Sequence, residues 1–392
     1  MNNLLRVWMA EYRRIFSDLG VVLIFFGAIG VYSIFYPMPY LNEVVTQVPV
    51  VVVDHDRSDL SRKMIQMIDA GQNVSVALQA LSFENARQVL YRGDIYGIIV
   101  IPEDFSSRIL RGEQATIAAH ADAGYFLIYR QIVSGITASV KTFSAGVEIK
   151  RLTAKGLPYP KALALRNPLP LSTYPLFNPS GGYAGYVVPA AFIIILQQTL
   201  LIGIGMLRGT KKEMIGRNTS SILKSESNTM TRILGKTLAY FSLYLVHALF
   251  YLEVLHRFYR FPHRGNILSL LGFVVPFLLA TCFLGLFLSK LFYQRETSMI
   301  VLGFTSIPIL FLSGFAWPIE SMPGWLHTLS LLLPSTAGID GFLRINQMGA
   351  SLKDVQLQCL ILWVLTIGYF FLACIFTKRP LNQTEDPSIH QI

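Results

Sequence analysis

Apolar residues in this chain gather into long unbroken runs instead of the half-apolar stripes of soluble helices. Six of them, 19–37, 184–206, 236–255, 266–289, 298–315 and 356–377, are each near the ~20 residues that cross a ~30 Å hydrocarbon layer. They predict six membrane-spanning helices. Ahead of the first run, residues 3–17 are patterned differently. Leu4, Leu5, Trp8, Tyr12, Ile15 and Phe16 fall near one helical face, with Arg6, Arg13 and Arg14 around the other side. That predicts a helix lying in the membrane interface with its basic groups on anionic headgroups.

Between the first two runs, residues 38–183 switch to short β-branched and alternating stretches. PVVVV (49–53), NVSVALQA (73–80), YGIIVIP (96–102) and ATIAAHA (115–121) read as strands. Helical stretches separate them. Asp56 or Ser58 can cap the first and Gly71 can stop it; FENARQVLYRG, EDFSSRILRG and a long helix over 124–155 follow. Alternation of this kind predicts one inserted α/β domain.

Composition agrees with a membrane protein. The chain is 53% hydrophobic and 14% charged, with a mean hydropathy of +0.48, against the ~25% charged residues of soluble domains. Cys282, Cys359 and Cys374 all lie in apolar stretches, so no disulfide framework or zinc site is implied. The net charge of +10 is not a nucleic-acid footprint, because its distribution follows the membrane. Segments 1–18, 207–236, 290–297 and 378–392 hold fourteen Lys and Arg against five in 256–265 and 316–355. The positive-inside rule then puts both termini in the cytoplasm. Arg257, Arg260 and Arg264 dissent, on a loop that this topology leaves outside. The first run follows a charged lead and is too long for a signal-peptide core, so it is expected to stay as an anchor.

Candidate chemistry is sparse. MTRILGKT (230–237) ends like a phosphate loop but has Met230 where Gly is needed, and it opens a membrane helix instead of following a strand. Ser221 and Lys224 match S-x-x-K without an oxyanion hole nearby. Asp54-His55-Asp56 sits at a strand-to-helix junction, where Asp serves as a cap. Neither catalysis, nor a cofactor, nor a metal is indicated. Polar groups within the apolar runs are the better candidates, because unpaired polar atoms in hydrocarbon are costly. Gln197 and Gln198 in the second run, His247 in the third and Glu253 near its end are candidate pathway residues; interhelical packing is the competing reading. Asp340 and Arg344 have the spacing of a structural i,i+4 pair.

The most distinctive segment is FLSGFAWPIESMPGW (311–325). Its Pro, Trp and Glu describe a helix that stops at the membrane surface and turns back. It resembles the SG-x-x-(F/W)-P-I-x-x-M-P segment of ABC type-2 permeases, through Ser313, Gly314, Trp317, Pro318, Met322 and Pro323. Other phrases resemble the same family: FNPSGGYAGYVVPA (177–190), RGTKKEM (208–214), GKTLAY (235–240, with Ala239 where the family has Pro) and PGWLHTLSLLLPSTAGIDGFLR (323–344). In the insertion, VVDHDRSDLS and IIVIPEDFSSRILRG resemble the long-insert subgroup. The likeness covers nearly the whole chain and is strongest over 311–344.

The resemblance implies a six-helix α-helical membrane protein with a re-entrant segment between helices five and six and an α/β extracytoplasmic domain. Its parts would be an elbow helix (1–18), a first span (19–37), a periplasmic domain (38–183), a permease core (184–377) with a coupling loop (207–235), and a cytoplasmic tail (378–392). The implied role is the permease subunit of an exporter in a bacterial inner membrane, moving drug-like molecules or lipids. ATP would be bound by a separate ATPase, docked on a short polar helix through Arg208, Gly209, Thr210, Lys211, Lys212 and Glu213. A second permease subunit, identical or related, membrane lipids and an envelope adaptor are the other implied partners. A non-transporting envelope receptor or scaffold is the alternative; an ion-driven carrier is disfavoured by the lack of acids in five of the six spans.

Overall fold

A computed structural model describes residues 3–41, 44–178, 181–182, 184–216, 228–314, 317 and 319–378. The chain divides into two compact units, 44–174 and the remainder.

Among the described residues, the larger unit holds six helices long and apolar enough to cross a membrane: Leu19–Tyr40, Val187–Thr210, Thr229–Phe258, Ile267–Leu288, Arg295–Leu312 and Gln356–Thr377, here spans one to six. Hydrophobic run length located all six. Boundaries moved most at span three, which begins at Thr229 instead of 236, because helix continues past the apolar stretch. Span two likewise belongs to one helix, Ala184–Gly216. Residues 208–213 are therefore the last turns of that helix and not a separate short helix.

Span two is the centre of the bundle. Its apolar window is 89% buried, against 11% for span five and 17% for span six, whose outer faces are left for lipid. Hydrocarbon offers no water to backbone or hydroxyl groups, so polar atoms must find partners within the bundle. Tyr244 donates to Thr199 (3.0 Å), Tyr251 to the Ile29 carbonyl (2.7 Å) and Tyr259 to that of Ser33 (2.9 Å). These bonds tie span three to spans one and two.

Span five closes on the helix Ser306–Leu312, which ends within 311–325. Ser313 returns its hydroxyl to the Leu310 carbonyl (2.6 Å). Gly314 has φ +77°, and a Cβ there would lie 2.3 Å from Ile319 Cγ1, so this turn requires glycine. Trp317 is exposed, the Met322 amide closes a tight turn onto Ile319, and Pro323 precedes a helix, Gly324–Ser330. Pro318 lies outside the described residues. A second helix, Pro334–Met348, is buried along most of its length against spans two, four and six. Its Asp340 accepts from Arg344 (2.8 Å) and from Gln358 of span six (2.6 Å).

The smaller unit carries a four-stranded sheet: β1 (Val48–Asp54), β2 (Val74–Ala80), β3 (Gly97–Ile101) and β4 (Ala118–Ala121), in the order β2-β1-β3-β4 with only β4 antiparallel. Val50 and Val52 pack with Met64, Ile68 and Ile132 on one face, Val51 and Val53 with Ala86 on the other. Burial on both faces is why β1 reads as a continuous valine run. Ser58 is the cap of the helix Asp59–Asp69, accepting from the Ser61 amide. Asp56 does other work: it accepts from the Ser106 amide and hydroxyl (3.1 and 2.9 Å). Asp54 accepts from the Asp56 and Arg57 amides and the Ser61 hydroxyl. The VVDHDRSDLS phrase is a folding device.

The helix Asn3–Ser17 docks on span three through part of the predicted apolar face, with Tyr12 meeting Ser242 at 3.0 Å, and through an acid that the apolar pattern did not give. Leu5, Met9 and Phe16 stay exposed, while Glu11 and Ile15 are buried, at 1% and 0% exposure. GKTLAY supplies the receiving surface. A Cβ on Gly235 would lie 2.8 Å from Val7, so the two helices touch there backbone to side chain. Lys236 and Tyr240 both donate to Glu11 Oε1 at 2.5 Å, and Arg14 reaches its other oxygen at 3.3 Å. Burial alone would push the Glu11 carboxyl up. The Lys236 ammonium, hydrogen bonds from Lys236 and Tyr240, and Arg14 outweigh it, so Glu11 titrates below its ordinary value.

E11Q leaves Lys236 without its counter-charge and is expected to cost about 3 kcal/mol, the low end for breaking a buried pair, because Lys236 keeps 27% side-chain exposure. Limited trypsin cleavage at Arg13 and Arg14 reads the loosened helix; E11L/K236M should be cleaved more slowly than E11Q. A carboxyl with a lowered folded pKa stabilises above its unfolded value and loses that contribution as pH falls through the lowered one. Cleavage in the wild type should therefore stay unchanged from pH 8 to 5, measured with a protease active across that window; faster cleavage by pH 6 would contradict the assignment.

Candidate functional site

The helix Asn3–Ser17 packs on span three and the start of span one, and charged residues of several spans collect near it. Asp18, in the link from that helix to span one, caps the span by accepting from the Gly20 and Val21 amides (3.1 and 3.3 Å). The same carboxylate takes both arms of Arg295, the first residue of span five, at 3.0 and 2.8 Å. Thr210 adds its hydroxyl at 3.2 Å and lies 3.4 Å from Arg295 Nη1. A two-armed Arg–carboxylate pair is both strong and directional. One carboxylate thus fastens spans one, two and five together.

Two glycines make room for it. A Cβ on Gly209 would fall 2.5 Å from the Arg295 backbone nitrogen, and one on Gly20 would fall 1.9 Å from Arg295 Nη2. The chain entering span five therefore rests directly on the helix of span two. In the RGTKKEM segment, Gly209 and Thr210 face inward to this clamp. Arg208 lines a neighbouring cavity with Arg14, Arg232, Lys236 and Lys290. Lys211, Lys212 and Glu213 occupy the helix's next turn. The coupling candidates are thus divided between an inward half and the continuing helix end.

The four pathway candidates are not brought together; among the described residues, no hydrogen bond joins any two of them. Gln197 is fully buried and donates to Ser335 of the Pro334–Met348 helix at 3.2 Å. Gln198, 5% exposed, has neither amide atom partnered among the described residues. His247 is ringed by Phe26 and Tyr244, with centroids 5.2 and 5.3 Å away. Glu253 lies at the far end, accepting from Arg257 (2.8 Å) and 3.1 Å from His263, which in turn meets Asn346. Residues 230–237 are helix, so no phosphate loop forms there. Ser221 and Lys224 lie outside the described residues.

Sequence reasoning passed over Glu11, Asp18 and Arg295. A faint signal existed for Asp18, an acid immediately before an apolar run, where N-caps sit. Nothing local marked its union with Arg295, 277 residues away.

Comparison with known proteins agrees with this architecture. The model of the "ABC-2 family transporter protein" family matches residues 19–375. The chain is 23% identical over 295 residues to the probable multidrug ABC transporter permease YbhS of Escherichia coli (strain K12), covering 74% of each. It is 22% identical over 311 residues to the probable multidrug ABC transporter permease YbhR of the same strain, covering 79% of this chain and 81% of that one. It is also similar to ABC transporter G family member 20 of Dictyostelium discoideum, 23% identical over 297 residues, which are 74% of this chain and 39% of that protein. With six apolar helices, an inserted α/β unit and a family match running from the first span to the last, the chain belongs to the ABC-2 family of transporter permeases.

Proposed function

We propose that this permease is the membrane-embedded half of a bacterial exporter for hydrophobic or amphipathic compounds, drug-like molecules or lipids, driven by a separate ATPase. Membership of an ABC transporter family implies such an ATPase partner. The basic end of the bundle is the cytoplasmic side in this reading, by the positive-inside rule. Both chain termini then face the cytoplasm of a cell whose inner membrane holds the protein. The unit 44–174, inserted in the chain between spans one and two, lies outside. Helices Gly324–Ser330 and Pro334–Met348 form the outward re-entrant segment. The permease works as a pair with a second, identical or related subunit.

The observation that carries this reading is the Asp18–Arg295–Thr210 clamp beside Gly209. A force applied to residues 211–216 by an ATPase passes along one continuous helix into span two. Through the clamp it also reaches spans one and five, so three spans move as a body. The E. coli relatives are named as multidrug permeases, which supports the substrate class.

Co-purified with its ATPase, the permease in which Lys211, Lys212 and Glu213 are all replaced by Ala should lose most ATPase binding. D18N should keep the complex assembled yet slow transport into inside-out vesicles about tenfold, the effect of ~1.4 kcal/mol lost in coupling. Full transport by D18N would remove the clamp from the mechanism. If no ATPase co-purifies, the receptor reading takes over.

Gln198 is the residue most suited to meeting cargo, because its amide is unspent in an apolar setting. Replacing an unsatisfied buried amide by an apolar side chain relieves a cost of ~1–3 kcal/mol. Q198L should therefore melt no lower than the wild type while shifting the relative transport of polar-tipped and purely apolar dyes. Q197L, which strands Ser335, should melt lower. Unchanged dye selectivity in Q198L would exclude it from the pathway.

A further inference from the structure

The cavity beside the clamp concentrates positive charge. Arg14 of the first helix, Arg208 of span two, Arg232 and Lys236 of span three, and Lys290 just after span four all line it. Five cations share a space of about 40 Å³. Glu11 is, among the described residues, an acid within reach, and its carboxylate already accepts from Lys236, Tyr240 and Arg14. Among the described residues, neither Arg208 nor Arg232 has an acidic partner, and Arg208 Nε is buried with no hydrogen-bond acceptor. Arg208 feels the charge of Arg232, and Lys236 those of Arg14 and Arg208. Like charges gathered in a partly dehydrated pocket repel, and the buried Arg208 Nε has no acceptor to offset that cost among the described residues.

We propose that this cavity is a binding site for a phosphate-class anion, and that the anion completes the packing of the elbow helix against spans two, three and four. Phosphate chemistry fits better than any other. Guanidinium forks match phosphate oxygens in pairs, and a lysine adds a compact charge to the same group. The volume favours a small group: it is far below the ~300–1,000 Å³ of small-molecule sites, so a single phosphate group is a better match than a nucleotide or a transported drug. Two sources supply it at this depth. One is the headgroup of an anionic phospholipid, whose acyl chains would lie along Leu207 and Ile233 at the cavity wall. The other is free inorganic phosphate. The site depends on neither the direction of transport nor the nature of the cargo.

The test uses the purified full-length chain, exchanged into detergent with equal amounts of chain-matched phosphatidylglycerol and phosphatidylcholine and examined by native mass spectrometry. The wild type should retain one phosphatidylglycerol per chain with about tenfold preference, equivalent to ~1.4 kcal/mol. R208Q/R232Q should lose that preference and R208K/R232K should keep most of it. R6Q/R13Q removes the same charge from exposed positions on the elbow helix and should change nothing. In a second arm, millimolar inorganic phosphate is added to lipid-free protein. If it raises the melting temperature of the wild type but not of R208Q/R232Q, and expels phosphatidylglycerol, the site belongs to free phosphate. The proposal is overturned if the wild type shows neither lipid preference nor phosphate stabilisation, or if R6Q/R13Q abolishes binding as fully as R208Q/R232Q. Should R208Q/R232Q fail to fold, the wild-type competition, the Lys variant and the R6Q/R13Q control still decide.

Discussion

A charge carried to the edge of hydrocarbon must be met by an opposite charge there, because neither bulk water nor the apolar core will take it. That constraint organises the basic end of this bundle. Asp18 and Glu11 are the two acids of the first eighteen residues, and each becomes the meeting point of several helices. Glu11 binds the elbow helix to span three through Lys236 and Tyr240. Asp18 binds the start of span one to spans two and five through Thr210 and Arg295. Lipid tails are as apolar as leucine, so apolar contact alone gives helices little reason to choose particular neighbours in a membrane. Directional ionic contacts at the ends of the spans supply that choice.

The short family-like phrases gain a common physical meaning from this geometry. Gly235, Lys236 and Tyr240 of GKTLAY share one task, which is to receive the elbow helix closely and neutralise its buried acid. Gly209 and Thr210 share another: the glycine admits the backbone at Arg295, and the threonine joins the carboxylate that holds it. Gly314 and Ser313 close the turn after span five. In each phrase a residue without a side chain lies beside one with a hydroxyl or a charge. Close approach and polar satisfaction are needed at the same point, so they are written next to each other.

How much of this was legible beforehand follows from the range of the interactions. The six spans were readable because run length alone meets the bilayer's requirement. The α/β unit was readable because strands buried on both faces leave valine-rich runs, bounded by residues such as Ser58, Gly93 and Gly112 that cap or stop the neighbouring helices. Helix faces were less readable. Leu4, Leu5, Trp8, Tyr12, Ile15 and Phe16 are apolar on both the protein-facing and the exposed sides, since a helix in an interface satisfies lipid and protein with the same chemistry. An acid, Glu11, marks the protein-facing side instead. The Asp18–Arg295 pair was beyond reach, because no local period records a partner 277 residues away.

The contrast between Gln197 and Gln198 carries the same logic into the middle of the bundle. Adjacent residues on one helix point about 100° apart, so two neighbouring amides cannot both serve one interface. Gln197 spends its amide on Ser335, fixing the Pro334–Met348 helix against span two. Gln198 is equally deep and makes no such bond among the described residues. Leaving a buried amide unpartnered carries a standing cost that most buried polar groups avoid. Single atoms of Gln197, Thr237, His247 and His256 are also buried without a partner among the described residues, but Gln198 leaves both ends of its amide unspent, which gives it the most to offer something that comes and goes.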